Sequence, residues 1–77
     1  MKSQSAGKQF VVCIQNKGYE VSLEKRKIYT AFREEADEKQ GLLRVLDESG
    51  EDYLYPSKYF VSIDLPSEIA QAFDQAA

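Results

Sequence analysis

Tyrosines cluster in one short stretch of the chain, YLYPSKYFV, which places Tyr53, Tyr55 and Tyr59 around Pro56. Tyrosine joins an apolar ring to a polar hydroxyl, so it is favoured where a protein binds a partner. The same rings also fill cores, and alternation along a strand puts Tyr53 and Tyr55 on one face. The stretch predicts a binding surface or a structural corner, and we interpret Tyr55 and Phe60 as structural. The candidate partner-binding residues are Tyr59, Pro56, Tyr53 and Tyr19.

The other chemistry-bearing residues form no catalytic or metal-binding pattern. The chain has no histidine, so acid–base catalysis would need Asp, Glu, Lys or Tyr, and none of these stands in a recognisable catalytic pair. Cys13 lies inside an apolar run, where burial raises the pKa of a thiol and makes it inert. The acidic turn 47–52 lacks the alternating ligands of a calcium loop and is interpreted as a solvated hairpin tip. We therefore expect no catalytic residue, no metal, no cofactor and no enzymatic activity.

Length and charge limit the classes of function further. A chain of 77 residues is expected to form one domain. Its net charge of −3 disfavours nucleic-acid binding, and the single basic cluster, residues 25–27, is interpreted as a solvated turn. The lone cysteine fits a reducing compartment. No apolar stretch approaches the roughly 20 residues that span a bilayer. The sequence therefore predicts a cytoplasmic protein without membrane association.

Short β-forming runs bounded by turn residues indicate a mainly β domain with five short strands. The acidic stretch 34–40 has no apolar stripe, so we expect a loop there with at most one helical turn. Pro56 cannot donate to a strand ladder, so it should end the fourth strand. The extended segments are residues 9–14, 19–25, 27–32, 42–46, 53–55 and 59–63.

The pattern changes to helical spacing near the C-terminus. Apolar residues recur at i, i+3, i+4 and i+7 from Ile69, which predicts a short amphipathic helix over Pro66–Ala76. Its apolar stripe is expected to cover an open end of the strand domain, and docking on a second subunit or on a partner is the alternative. The predicted organisation is a flexible tail at 1–8, the strand domain at 9–63 and a C-terminal helix packed on it at 64–77.

Two segments resemble the Src-homology-3 family. Pro56–Phe60 (PSKYF) is similar to the Pro-Ser-Asn-Tyr-Val corner of that family, and Leu23–Lys27 (LEKRK) resembles its diverging turn. The resemblance implies a small five-stranded Src-homology-3-like barrel with a short C-terminal α-helix. The run Gly41–Phe60 also resembles a family of small uncharacterised bacterial proteins with such barrels. That second family has no assigned activity, so the likeness concerns the fold.

In the Src-homology-3 family the proline and tyrosine of this corner help to line a groove for polyproline ligands. Pro56 and Tyr59 match those positions, but the first strand lacks the family's tyrosines and the chain has no tryptophan. We therefore expect a non-enzymatic binding or adaptor module that holds a protein or peptide on its aromatic surface. The acidic turns favour a basic peptide. The alternative is a nucleic-acid-binding small barrel that uses residues 25–27.

Overall fold

Five antiparallel strands in one sheet organise the part of the chain that the structure describes. The computed structural model describes residues 8–76, with side chains as far as Ala72. The strand order is β4-β3-β2-β1-β5. The elements are β1 (Lys8–Cys13), β2 (Ile28–Phe32), α1 (Glu35–Lys39), β3 (Leu42–Leu46), β4 (Asp52–Pro56), a 3-10 turn (Ser57–Tyr59), β5 (Phe60–Ile63) and α2 (Ser67–Ala76).

The sheet is open, so the expectation of a closed barrel is wrong. β1 pairs with β2 on one side and with β5 on the other, and β4 pairs with β3. Within the described residues, β4 and β5 are the two edges of the sheet. Pro56 ends β4 because its nitrogen has no hydrogen to donate. The 3-10 turn that follows carries the chain across to β1 instead of continuing along β4.

The core lies on one face of this sheet. In β2 and β3 every second residue is buried, as the period of two in a half-buried strand requires. Tyr55 and Phe60 are 0% and 8% exposed, which confirms their structural interpretation. The buried core residues are Val11, Cys13, Leu23, Tyr29, Ala31, Leu43, Val45, Tyr55 and Phe60.

The predicted extended segment at 19–25 is wrong, because these residues belong to a loop of consecutive turns between β1 and β2. The Tyr19 amide donates to the Asn16 carbonyl at 2.8 Å, and the Leu23 amide donates to the Tyr19 carbonyl at 2.9 Å. Leu23 is 1% exposed, whereas Val21 is 95% exposed. Alternating apolar residues therefore do not share a face here, because the loop turns between them.

The ends of the chain are described in part. Of the predicted tail at 1–8, only Lys8 is described, and it begins β1. The C-terminal helix forms over Ser67–Ala76, one residue later than predicted. Ile69 of its apolar stripe is 46% exposed, and the stripe beyond Ala72 lies outside the described side chains. Packing of the helix on the sheet stays a prediction. Among the described residues, no helix is long and apolar enough to cross a membrane.

Candidate interaction surface

Two tyrosine rings contact the buried ring of Tyr55, and a third tyrosine ring contacts one of those two. Tyr19 meets Tyr55 edge to face, with ring centroids 5.0 Å apart, and Tyr53 meets Tyr55 with centroids 6.0 Å apart. Tyr19 also contacts Tyr59, with centroids 6.1 Å apart. Edge-to-face pairs add roughly 0.5–1.5 kcal/mol beyond the area that they bury. The rings thus form a continuous path, and we call Tyr19, Tyr53 and Tyr59 the aromatic surface.

The exposure of these rings leaves a surface that a partner could reach. Tyr53 is 64% exposed and Tyr19 is 37% exposed, while Tyr59 is half-buried. Tyr55 lies beneath them with no exposed area. Both exposed rings contact this buried ring, and a side chain that is already restrained loses less entropy when a partner binds. Three of the four candidate residues therefore come together.

Pro56 is near Tyr59 in the chain but does not join the ring path. It stands opposite Leu42 in the pairing of β3 and β4. Alternation along β4 puts Pro56 on the same face as Leu54, which is opposite to the face of Tyr53. Pro56 therefore positions Tyr59 by ending β4, and its own ring is half-buried.

Two main-chain contacts hold Tyr59 against the loop between β1 and β2. The Tyr59 hydroxyl donates to the Lys17 carbonyl at 3.0 Å, and the Ile14 amide donates to the Tyr59 carbonyl at 2.8 Å. Beside this ring lies a shallow groove of about 440 Å³, lined by Ile14, Gln15, Lys17, Lys58 and Tyr59. Two lysines therefore flank Tyr59. The position of Lys58 beside Tyr59 follows from the PSKYF sequence, whereas Lys17 reaches the groove through a loop conformation that the sequence did not predict.

The Tyr53 end of the aromatic surface is acidic. A pocket of about 240 Å³ is lined by Ser22, Asp47, Ser49, Glu51 and Tyr53. The turn that supplies most of these residues connects β3 to β4, and Gly50 in it has a φ of +86°, which a residue without a Cβ adopts readily. The aromatic surface is thus positive beside Tyr59 and negative beside Tyr53.

The acidic turn 47–52 was interpreted as a solvated hairpin tip, but this does not hold for Asp47, which is only 9% exposed. One carboxylate oxygen accepts from the Tyr55 hydroxyl at 2.6 Å, and the other accepts from the amide and hydroxyl of Ser49 at 2.9 and 2.5 Å. Burial alone would raise the pKa of Asp47, but hydrogen bonds from Ser49 and Tyr55 outweigh it and lower the pKa. The Asp-x-Ser spacing, which is typical of a turn, is the sequence feature that could have predicted the hydrogen bonds between Asp47 and Ser49.

Cys13 is buried, as predicted. The thiol is 0% exposed and donates to the Gln15 carbonyl at 3.1 Å. Burial raises the pKa of Cys13, and the Gln15 contact and the charge of Lys25 only partly oppose this. A thiol in this state is a weak nucleophile.

The basic turn at 25–27 is partly neutralised within the chain. The Lys27 ammonium donates to the Glu48 carboxylate at 2.5 Å, and the Tyr29 hydroxyl donates to the same oxygen at 2.6 Å. These contacts lower the pKa of Glu48. Lys25 and Arg26 remain exposed, which leaves a smaller basic patch than the sequence indicates.

A third cavity, of about 340 Å³, is bordered by residues of β1, β3, α1 and β5, and the core residues Val11, Leu43 and Phe60 contribute to its lining. The Arg33 guanidinium spans its rim, because it donates to Gln9, to Glu38 and to Ser62. This arginine ties β1, α1 and β5 together where the sheet stays open. Each of its three nitrogens donates one hydrogen bond to a side chain of the chain itself.

No protein-family model matches the sequence, and no curated protein or solved structure matches it either.

Proposed function

We propose that the chain is a non-enzymatic binding module that holds a protein or peptide on the aromatic surface of Tyr19, Tyr53 and Tyr59. The observation that carries this proposal is the exposure of two rings that lean on a buried third, Tyr55. Tyrosine is one of the residue types that are enriched among the side chains that anchor a partner. Grooves at both ends of the surface give a bound segment room to continue.

We further propose that the module is a Src-homology-3-like variant from a bacterial cytoplasm. In its support, the corner that carries the resemblance connects β4 to β5 and presents Tyr59. The aromatic surface has no tryptophan, and Pro56 lies on the other side of β4 from Tyr53, so we do not extend the proposal to polyproline ligands. The single buried thiol, Cys13, supports a reducing compartment.

Selection of random dodecapeptides displayed on phage, with the whole chain as bait, tests the proposal. Peptides that bind the chain should lose most of their affinity for Tyr59→Ala and Tyr53→Ala. Val61→Ala is the matched control, because Val61 is 47% exposed but lies on β5. Far-ultraviolet circular dichroism and urea unfolding establish that each variant is folded. Peptides that bind Tyr59→Ala and Tyr53→Ala as tightly as the unsubstituted chain would contradict the proposal.

Nucleic-acid binding is the alternative function, and binding measurements with oligonucleotides test it. It requires oligonucleotide affinity that falls steeply with added salt. It also requires that Lys25→Ala and Arg26→Ala weaken binding, because these exposed cations of the basic turn pair with no carboxylate among the described side chains. The pairing of Lys27 with Glu48 leaves fewer charges for phosphate, so we expect no such binding.

A further inference from the structure

We propose that the aromatic surface binds a linear segment that carries both charges, with a basic side chain beside Tyr53 and an acidic side chain beside Tyr59. This inference rests on the proposed function and adds to it the chemistry and the direction of the partner. The charge at the two ends of the surface carries the argument.

At the Tyr53 end, two carboxylates lack a cation. Glu48 pairs with Lys27, and Asp52 pairs with Arg44. Asp47 and Glu51, which line the pocket under Tyr53, face no lysine or arginine within salt-bridge distance among residues 8–72. A buried carboxylate that receives only neutral hydrogen bonds gains from a nearby cation.

The ring of Tyr53 adds a second attraction for a cation. It is 64% exposed and forms one wall of the pocket that contains Asp47 and Glu51. An ammonium or guanidinium group over an aromatic face is attracted by the negative charge of that face. A ring and carboxylates around one pocket therefore fit a lysine or arginine side chain of the partner.

At the Tyr59 end, the signs are reversed. The groove beside Tyr59 is lined by Lys17 and Lys58, and neither ammonium pairs with a carboxylate among the described side chains. Ile14, which is 49% exposed, supplies an apolar wall. An aspartate, a glutamate or a terminal carboxylate of the partner fits this groove.

The ring path sets the spacing between the two ends. Tyr59, Tyr19, Tyr55 and Tyr53 follow one another with neighbouring centroids 5.0–6.1 Å apart. A segment that lies along this path meets apolar ring surface between its two charged contacts. Reversing the segment would place like charges together at both ends, so the charges also select one orientation.

The dodecapeptides selected on the whole chain supply the probe. Synthetic copies should carry a basic and an acidic residue in one constant order, and added salt should weaken their binding. Glu51→Lys and Lys58→Glu should each weaken binding by about three- to tenfold. Lys39→Glu, an exposed residue of α1, is the matched control and should leave binding unchanged. Copies in which the basic and acidic residues are exchanged should bind the double variant Glu51→Lys/Lys58→Glu more tightly than the original chain.

The outcomes separate the two proposals. Peptides that depend on Tyr59 but show no constant order of charge, or that ignore both charge reversals, would overturn this inference and leave the proposed function standing. Peptides that carry only basic residues would also overturn it. A selection that yields no peptide dependent on Tyr59 or Tyr53 would overturn both.

Discussion

The hydroxyl of Tyr55 donates to the carboxylate of Asp47 at 2.6 Å, and both residues are buried. This contact joins β4 to the turn that precedes it and fixes the ring on which Tyr19 and Tyr53 lean. The position of the aromatic surface therefore depends on a buried polar pair. A single hydroxyl supports both the fold and the candidate site.

Removal of that hydroxyl should destabilise the protein. Tyr55→Phe keeps the ring but leaves one oxygen of Asp47 without this donor, so the free energy of unfolding should fall by about 1–3 kcal/mol. Urea unfolding followed by circular dichroism measures the change. Tyr53→Phe is the matched control: its ring is 64% exposed, and its effect should stay within about 0.5 kcal/mol. Equal effects of the two substitutions would show that the Tyr55 hydroxyl adds no stability.

Stability should decrease in acid because the carboxylates of Asp47 and Glu48 have lowered pKa values in the folded chain. Their ordinary values are 3.8 and 4.5. Above these values both groups are ionised in the folded and unfolded chain, so their contribution is complete. As the pH falls below them, the unfolded chain binds protons first, and the contribution is lost down to the lower folded-state pKa values.

Urea midpoints measured between neutral and acidic pH test this dependence. The Asp47→Asn variant should be less stable at neutral pH and should show a smaller loss of stability on acidification. Nuclear magnetic resonance titration of the Asp47 carboxyl provides a direct reading of its pKa. A folded-state pKa at or above 3.8 would contradict the expected sign.

Runs of β-forming residues predicted the sheet, whereas alternation failed to predict the loop. β2 and β3 were readable because short β-forming runs bounded by turn residues favour strands. In the segment at 19–25 apolar and polar residues alternate, yet the segment forms turns. The Asn16 side-chain amide donates to the Leu23 carbonyl at 3.0 Å, and the Glu48 amide donates to the Ser22 carbonyl at 3.2 Å. The second of these bonds joins residues far apart in the chain, and no short window of sequence contains it.

The candidate site was likewise predicted only in part from the sequence. Tyr59, Tyr53 and Tyr19 were identified from residue type, because exposed tyrosines are a common feature of binding surfaces. The acidic turns were expected to favour a basic partner, but the opposite charges at the two ends of one surface were not identified. They arise because the loop brings Lys17 to the 3-10 turn and because the hairpin turns Asp47 inward. Both placements depend on tertiary contacts.

The loop between β1 and β2 should respond very differently to truncation at two neighbouring apolar residues. Leu23 is 1% exposed, so Leu23→Ala should lower the free energy of unfolding by about 2–5 kcal/mol through lost burial and a cavity. Val21 is 95% exposed, so Val21→Ala should change it by less than about 0.5 kcal/mol. Urea unfolding of the two variants gives the comparison. Similar losses would indicate an extended segment with a shared face.

The turn at Lys25 and Arg26 should become more stable when Arg26 is replaced by glycine. Arg26 has a φ of +71° and donates its amide to the Cys13 carbonyl at 2.7 Å. A left-handed conformation costs a residue with a Cβ about 1–2 kcal/mol, while glycine loses about 0.5–1 kcal/mol more chain entropy on folding. Arg26→Gly should therefore raise the free energy of unfolding by up to about 1 kcal/mol. Lys25→Gly is the control and should lower it, because among the described non-glycine residues only Arg26 has a positive φ. Thermal and urea unfolding measure the stability of both variants. A greater loss of stability for Arg26→Gly than for Lys25→Gly would contradict a strained conformation at Arg26.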